Sequence, residues 1–255
     1  MIHSTCLLTQ NDCCKAGKTI RPRGVMIHST GANNPWLRRY VAPDDGRLGT
    51  PSGRHWNQPG LNVCVHAFVG RLADGSIGAY QTLPWTMRGW HCGRGSRGSG
   101  NDTHISIEIC EDSLVDEGYF RAAYDRTVRL TAHLCREFGL DPLEDGVVIC
   151  HAEGYRRGIA SNHGDVLHWF PRFGKSMDDF RADTARAMEE DDTVTQQQFD
   201  AMMDNWLSRR DGLAAPAWAA PIIQAAREQG ITDGTRPQAP ATRQEVMTMV
   251  MAALK

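Results

Sequence analysis

The chain has no apolar run approaching the roughly 18 residues needed to span a bilayer, so membrane insertion is not expected. Its first residues, Met1-Ile2-His3-Ser4-Thr5, lack the basic segment and apolar stretch of a secretory signal. The expectation is a protein made in the cytoplasm. Excess positive charge is missing too: 28 Lys and Arg stand against 30 Asp and Glu, a formal net charge of -2. That balance offers no footing for nucleic acid as a partner. C-x-x-C spacing is absent among Cys6, Cys13, Cys14, Cys64, Cys92, Cys110, Cys135 and Cys150. Several of these sit inside apolar stretches, where cysteine acts as a small hydrophobe, so free and mostly buried thiols are expected.

What is present is a soluble, globular composition, with 255 residues to form one sizeable domain and a small one. The first part alternates strands and helices, the pattern of an α/β fold with a central sheet. Gly24 to His28 is a short apolar strand ending on the polar run Ser29 to Pro35. Val63 to Val69 and Ile77 to Gln81 are further strands, with a turn at Asp74-Gly75 between them. His104 to Ile109 alternates cleanly. Ile105, Ile107 and Ile109 take one face, which turns His104, Ser106 and Glu108 to the other.

Tyr124, Val128, Ala132 and Cys135 recur at helical spacing within a stretch from about Tyr119 to Phe138, and Gly139 supplies the stop. Val147 to Cys150 is a buried strand that delivers His151 to a polar loop. Ser176 and Asp179 form a capping box for a helix to about Glu189. The acidic run Glu189 to Asp192 then reads as a linker, giving domains at 1–188 and 195–255 joined by 189–194. Three short helices are expected in the tail: Thr195 to Arg210, Trp218 to Gln229, and from Arg243 onward, the last capped by Thr242 and Glu245.

The histidines carry the chemistry. His28 and His151 each end an apolar strand, and neighbouring strand ends can bring two imidazoles together at one rim of a sheet. The stretch after His151 adds His163 and Asp165 in a glycine-bracketed turn. Two His and a carboxylate leave a fourth tetrahedral position for water, the usual form of a catalytic zinc site. Zinc lowers the pKa of such a water from about 15.7 to about 7. Any one of these histidines by itself could equally be a hydrogen-bonded core or loop residue.

Gly24 to Ala32, Gly89-Trp90-His91-Cys92-Gly93, Ser106-Ile107-Glu108-Ile109, and Cys150-His151 through Asp165 resemble N-acetylmuramoyl-L-alanine amidases of the type 2, peptidoglycan-recognition-protein family. Phage endolysins and bacterial autolysins share that fold, and the run from Gly158 to Phe170 looks like a subgroup from Gram-positive gut bacteria and their phages. The match runs in order over about residues 1–185. It implies a mixed β-sheet flanked by helices and hydrolysis of the muramic acid–L-alanine amide of bacterial peptidoglycan. It implies action on the cell wall after release from the cytoplasm, as by a phage lysin. It makes His28, His151 and Asp165 the ligands of Zn2+, and Glu108 the acid that orients or deprotonates the zinc-bound water.

Many relatives carry a lysine where His163 stands, to stabilise the oxyanion; a neutral imidazole offers one hydrogen bond without the full charge. His163 also rivals Asp165 as third ligand. His66, His91 and Trp90 fall where the family lines its substrate groove, although buried structural roles fit the two histidines equally. His168 and Trp169 are expected to pack near the ligands. Trp36, Trp56 and Trp85 fit core packing better than sugar stacking. A non-catalytic peptidoglycan-binding module, a zinc peptidase acting within the stem peptide and a His-Asn nuclease are the competing functions. The tail resembles a single S-layer-homology-like unit, expected to contact wall polymers, to pair with a second copy as a homodimer, or simply to cap the enzyme.

Overall fold

The computed structural model describes residues 3–192 and 196–254. Contacts divide the chain into two units, 1–192 and 193–255. The first contains β1 (Ser4–Thr5), α1 (Asp12–Ala16), β2 (Gly24–Ser29), β3 (Ala67–Arg71), β4 (Ile77–Gln81), β5 (His104–Ile109), α2 (Glu117–Phe138), β6 (Val148–Cys150), α3 (His151–Arg156) and α4 (Met177–Asp192). The strands form one six-stranded sheet in the order β1-β4-β3-β5-β2-β6. Only the β3–β4 hairpin is antiparallel, so the sheet is mixed, as expected.

The alternation along β5 decides what each face does. Ile105, Ile107 and Ile109 join Val25 and Ile27 of β2 in a core beneath α2, with Phe120, Tyr124 and Leu134 packed on them. Fully burying one such side chain contributes roughly 1.5–3 kcal/mol. The Asp116 side chain caps α2 by accepting from the Tyr119 amide, and Gly139 ends it in the left-handed conformation, φ 63°. On the opposite face Met26 and Ile149 pack with Cys92 and Ala160. Further along, Phe68 and Tyr80 pack with Leu37, Tyr40 and Leu48. Trp56 stands edge-on to Phe68, and Trp85 is buried in the main core, so both are packing residues.

Several expectations need correcting. Val63 to His66 is not strand: β3 starts at Ala67, and the preceding residues run irregularly, with Cys64 bridged to Trp90. β1 and α1 carry too little periodicity to stand out in the sequence. His151 opens α3 instead of a loop. The acidic run from Glu189 to Asp192 continues α4 as helix, so it is not a linker, and the division falls after Asp192. Residues 193–195, the rest of the expected linker and the start of the first tail helix, lie outside the described residues, as do Met1 and Ile2.

Cysteine needs a correction as well. Cys13 and Cys64 form a disulfide, with Cα atoms 6.3 Å apart, because α1 folds against the segment before β3. The other six are free, four of them buried, and Cys14 does not share its neighbour's bond.

The second unit holds α5 (Gln196–Asp211), α6 (Ala220–Glu228) and α7 (Arg243–Ala253), close to the expected helices. Thr242 and Glu245 form the capping box of α7. None of the described side chains in this unit is buried. No helix among the described residues is long and apolar enough to cross a membrane.

One glycine shows how tightly the sheet is assembled around the histidines. A Cβ at Gly24 would lie 2.3 Å from the Val147 carbonyl and 2.8 Å from the His104 ring, whose Nε2 donates to the Gly146 carbonyl. Gly24→Ala should therefore destabilise the fold by about 1–3 kcal/mol through overpacking. Urea unfolding measures this; an unchanged midpoint would show that β2 and β6 can separate freely.

Candidate metal centre

β2 is the hub of the site. Its parallel register with β5 sets His28 beside Glu108, and its register with β6 sets Ile27 beside Cys150, the residue before His151. The sheet thereby delivers His28, Glu108 and His151 to one rim. Asp165 arrives from the segment after α3, and its carbonyl accepts from the Ala152 amide at 3.3 Å.

Three donor atoms converge there. His28 Nδ1 lies 3.1 Å from Asp165 Oδ2 and 3.1 Å from His151 Nδ1, and His151 Nδ1 lies 3.6 Å from Asp165 Oδ2. Donors on a tetrahedral zinc, with bonds of about 2.0–2.1 Å, are separated by ~3.3–3.4 Å. The triangle therefore fits a small tetrahedral cation. Protons suit it poorly, because two imidazole nitrogens and a carboxylate all face one point. Among the described residues this is the one such group of His, Cys, Asp or Glu, and His163 is not part of it.

Electrostatics agree with a ligand role. Burial lowers the pKa of His28 against the upward pull of Asp165, which favours the neutral form a metal needs. For Asp165, burial by itself would push the pKa up. Hydrogen bonds to His151 and His28 outweigh it and hold the carboxyl well below the usual carboxylate range. Glu108 is displaced the other way. Burial raises it well above its ordinary value, the negative charges of Asp165 and Glu111 add to the rise, and its Oε2 is buried without a partner.

His163 is exposed, its ring centre 4.7 Å from that of His151. His66 is fully buried. The Ser106 amide donates to its Nδ1 at 3.0 Å, so its Nε2 carries the proton and donates to the Met87 carbonyl at 2.7 Å. It is a structural residue and cannot line a substrate groove. His91 is half-buried: its Nδ1 faces His28 Nε2 at 2.9 Å and its Nε2 is buried. Trp90 is half-buried against the Cys13–Cys64 pair and Leu83. His168 holds Glu111 at 2.8 Å, and Trp169 is buried in the main core.

Ser161 was not foreseen. Its hydroxyl lies 3.3 Å from His151 Nε2 and 3.2 Å from His163 Nδ1, joining the two rings. Its place in the glycine-bracketed turn, two residues before His163, was the available signal. Asn101 was missed too; its side-chain oxygen accepts from the His91 and Cys92 amides and fixes the loop that carries His91.

The sequence pattern of the family described as N-acetylmuramoyl-L-alanine amidase matches residues 18–167, which takes in the whole site. The chain belongs to this amidase family. CwlH, an N-acetylmuramoyl-L-alanine amidase of Bacillus subtilis (strain 168), is 41% identical over 58 residues, covering 23% of this chain and 22% of CwlH. The chain thus spans about a fifth of that curated relative. The solution structure of the PlyG catalytic domain superposes with a TM-score of 0.50 at 20% identity, covering 74% of this chain and 96% of that domain. The Staphylococcus aureus hydrolase AmiA, solved in complex with its ligand, gives 0.46 at 20% identity, over 66% and 73%. The fold is that of the type 2 amidases.

In this amidase fold the buried histidines make stability depend on pH. Burial pushes the His66 imidazole down to about 4. Below its ordinary value of about 6.5 the unfolded chain takes up a proton that the native state refuses, so stability is lost as pH falls from 6.5 to 4. His66 contributes on the order of 3 kcal/mol to that loss. Urea titrations of metal-free protein at pH 7 and 4.5 should differ accordingly; equal stabilities would show that these rings stay accessible to protons.

Proposed function

We propose that the chain is a zinc-dependent amidase cleaving the bond between N-acetylmuramic acid and L-alanine in bacterial peptidoglycan. The observation that carries this is the convergence of His28, His151 and Asp165 beside Glu108, in a chain of the N-acetylmuramoyl-L-alanine amidase family. His28, His151 and Asp165 would hold the ion, and a nitrogen–oxygen donor set with one open position suits catalytic zinc. Bound there, zinc supplies Lewis acidity, acidifying a water and polarising the amide carbonyl.

The protein's own groups do the rest. Glu108 takes a proton from the attacking water and returns it to the leaving amine nitrogen. Burial and the nearby carboxylates raise its pKa above the ordinary carboxyl value, which makes it a stronger base toward the water's proton. His163, exposed beside His151, donates to the carbonyl oxygen as negative charge develops on it. Ser161 ties the His163 ring to His151 and limits its swing.

The helical unit, with its S-layer-homology-like pattern, would hold the enzyme on wall polymers. Its exposed aromatic residues Phe199, Trp206 and Trp218 support such contact.

Digestion of purified cell walls followed by mass spectrometry should release stem peptides with a free L-alanine amine, leaving lactyl carboxylates on muramic acid. Fragments cut inside the stem would instead identify a peptidase. Glu108→Gln should keep the metal while lowering turnover by about 10²–10⁴-fold; undiminished hydrolysis removes Glu108 from the scheme. A chain ending at Asp192 should pellet less with cell walls than the full chain. Equal pelleting would place wall binding in the first unit.

A further inference from the structure

His28 presents Nδ1 to the metal centre and turns its other ring nitrogen inward. A neutral imidazole whose Nδ1 lone pair is offered to a cation carries its proton on Nε2. That Nε2 lies 2.9 Å from His91 Nδ1. For the contact to be a hydrogen bond, His28 must donate and His91 Nδ1 must accept, so His91 carries its own proton on Nε2. His91 Nε2 is buried and has no partner among the described residues. Burying an N–H unpaired carries a desolvation cost, to be offset by what Nδ1 does.

The surroundings hold His91 to this one task. Asn101 Oδ1 accepts from the His91 amide at 2.8 Å and from the Cys92 amide at 3.1 Å. On the other side Trp90 and Cys64 exchange backbone hydrogen bonds of 3.0 and 3.1 Å, beside the disulfide of Cys64. Gly89 leaves room for the ring, since a Cβ there would lie 3.0 Å from His91 Cδ2 and 3.1 Å from His66 Cε1.

We infer that His91 is a positioning residue for the metal centre: by accepting the Nε2 proton of His28 it fixes that ligand's tautomer and ring plane and strengthens Nδ1 as a donor. Outer partners of this kind change metal affinity by about 10–100-fold. The usual partner of a metal-binding histidine is a carboxylate, a carbonyl or water. An imidazole in that place does the same work only in one tautomer, which the buried Nε2–H accompanies.

The inference rests on the zinc reading of the site, so its test reads zinc affinity and not hydrolysis. Zinc dissociation constants are measured on the full chain by competition with a chelating dye, for the native protein, His91→Phe and His91→Asn. Phenylalanine keeps a ring without an acceptor; asparagine keeps an acceptor close to the place of Nδ1. His91→Phe should bind zinc about 10–100-fold more weakly, and His91→Asn should recover most of the loss. Native affinity in His91→Phe overturns the inference, and so does equal weakening in both variants, which would mark a packing role.

Failure of the native chain to bind zinc would instead overturn the metal reading and the inference with it. Should His91→Phe not fold, nitrogen-15 shifts of the zinc-loaded native protein decide. His28 and His91 should both be protonated on Nε2, and a proton on His91 Nδ1 overturns the inference.

Discussion

Three donor atoms from distant parts of the chain must be held within bonding reach of one point, and the parallel pairing of β2 with β5 and β6 does this. Because β2 runs between them, His28 is placed against Glu108 on one side and against the strand that delivers His151 on the other. Shifting either pairing by one residue would send a side chain through the sheet into the apolar face beneath α2. That face, filled by Ile105, Ile107, Phe120 and their neighbours, penalises such a slip. The hydrophobic core on one side of the sheet therefore fixes the polar geometry on the other.

The histidines of this face divide into roles by what their second nitrogen meets. His28 and His151 turn Nδ1 to the centre and are tied at Nε2, to His91 and to Ser161 respectively. His66 and His104 are tied through backbone carbonyls, of Met87 and Gly146, and are parts of the scaffold. Burial lowers the pKa of His28, His66, His91 and His104, so the face holds several imidazoles without holding several positive charges. Negative charge rests on Asp165, held as a carboxylate by the two imidazoles, while burial disfavours a second charge on Glu108 unless a cation compensates it. The centre is built as a cation site by both its donors and its charge.

The two units differ in how they are held. The first has a continuous core and a disulfide, whereas the described residues of the second contribute no buried side chain. Helices such as α7 are legible there from local signals alone, because the Thr242 capping box needs no tertiary partner.

Local pattern was enough for much of this protein. The alternation of β5 assigned Glu108 to its face, Gly139 ended α2, and the placement of His28, His151 and Asp165 with the family pattern singled out the three residues whose donor atoms converge. What the pattern left open was set by contacts between distant segments. His66 and His91 look alike in the sequence, each a histidine near a glycine or an apolar run. Yet one is held by Ser106 and Met87 and the other stands behind His28. The Cys13–Cys64 bond, the hydroxyl of Ser161 between two rings and the choice of Asp165 over His163 arise in the same way. Sequence periodicity records which face a side chain takes, since that depends on its nearest neighbours in the chain. Which atom of an imidazole meets which partner depends on residues tens of positions away, and only the folded packing decides it.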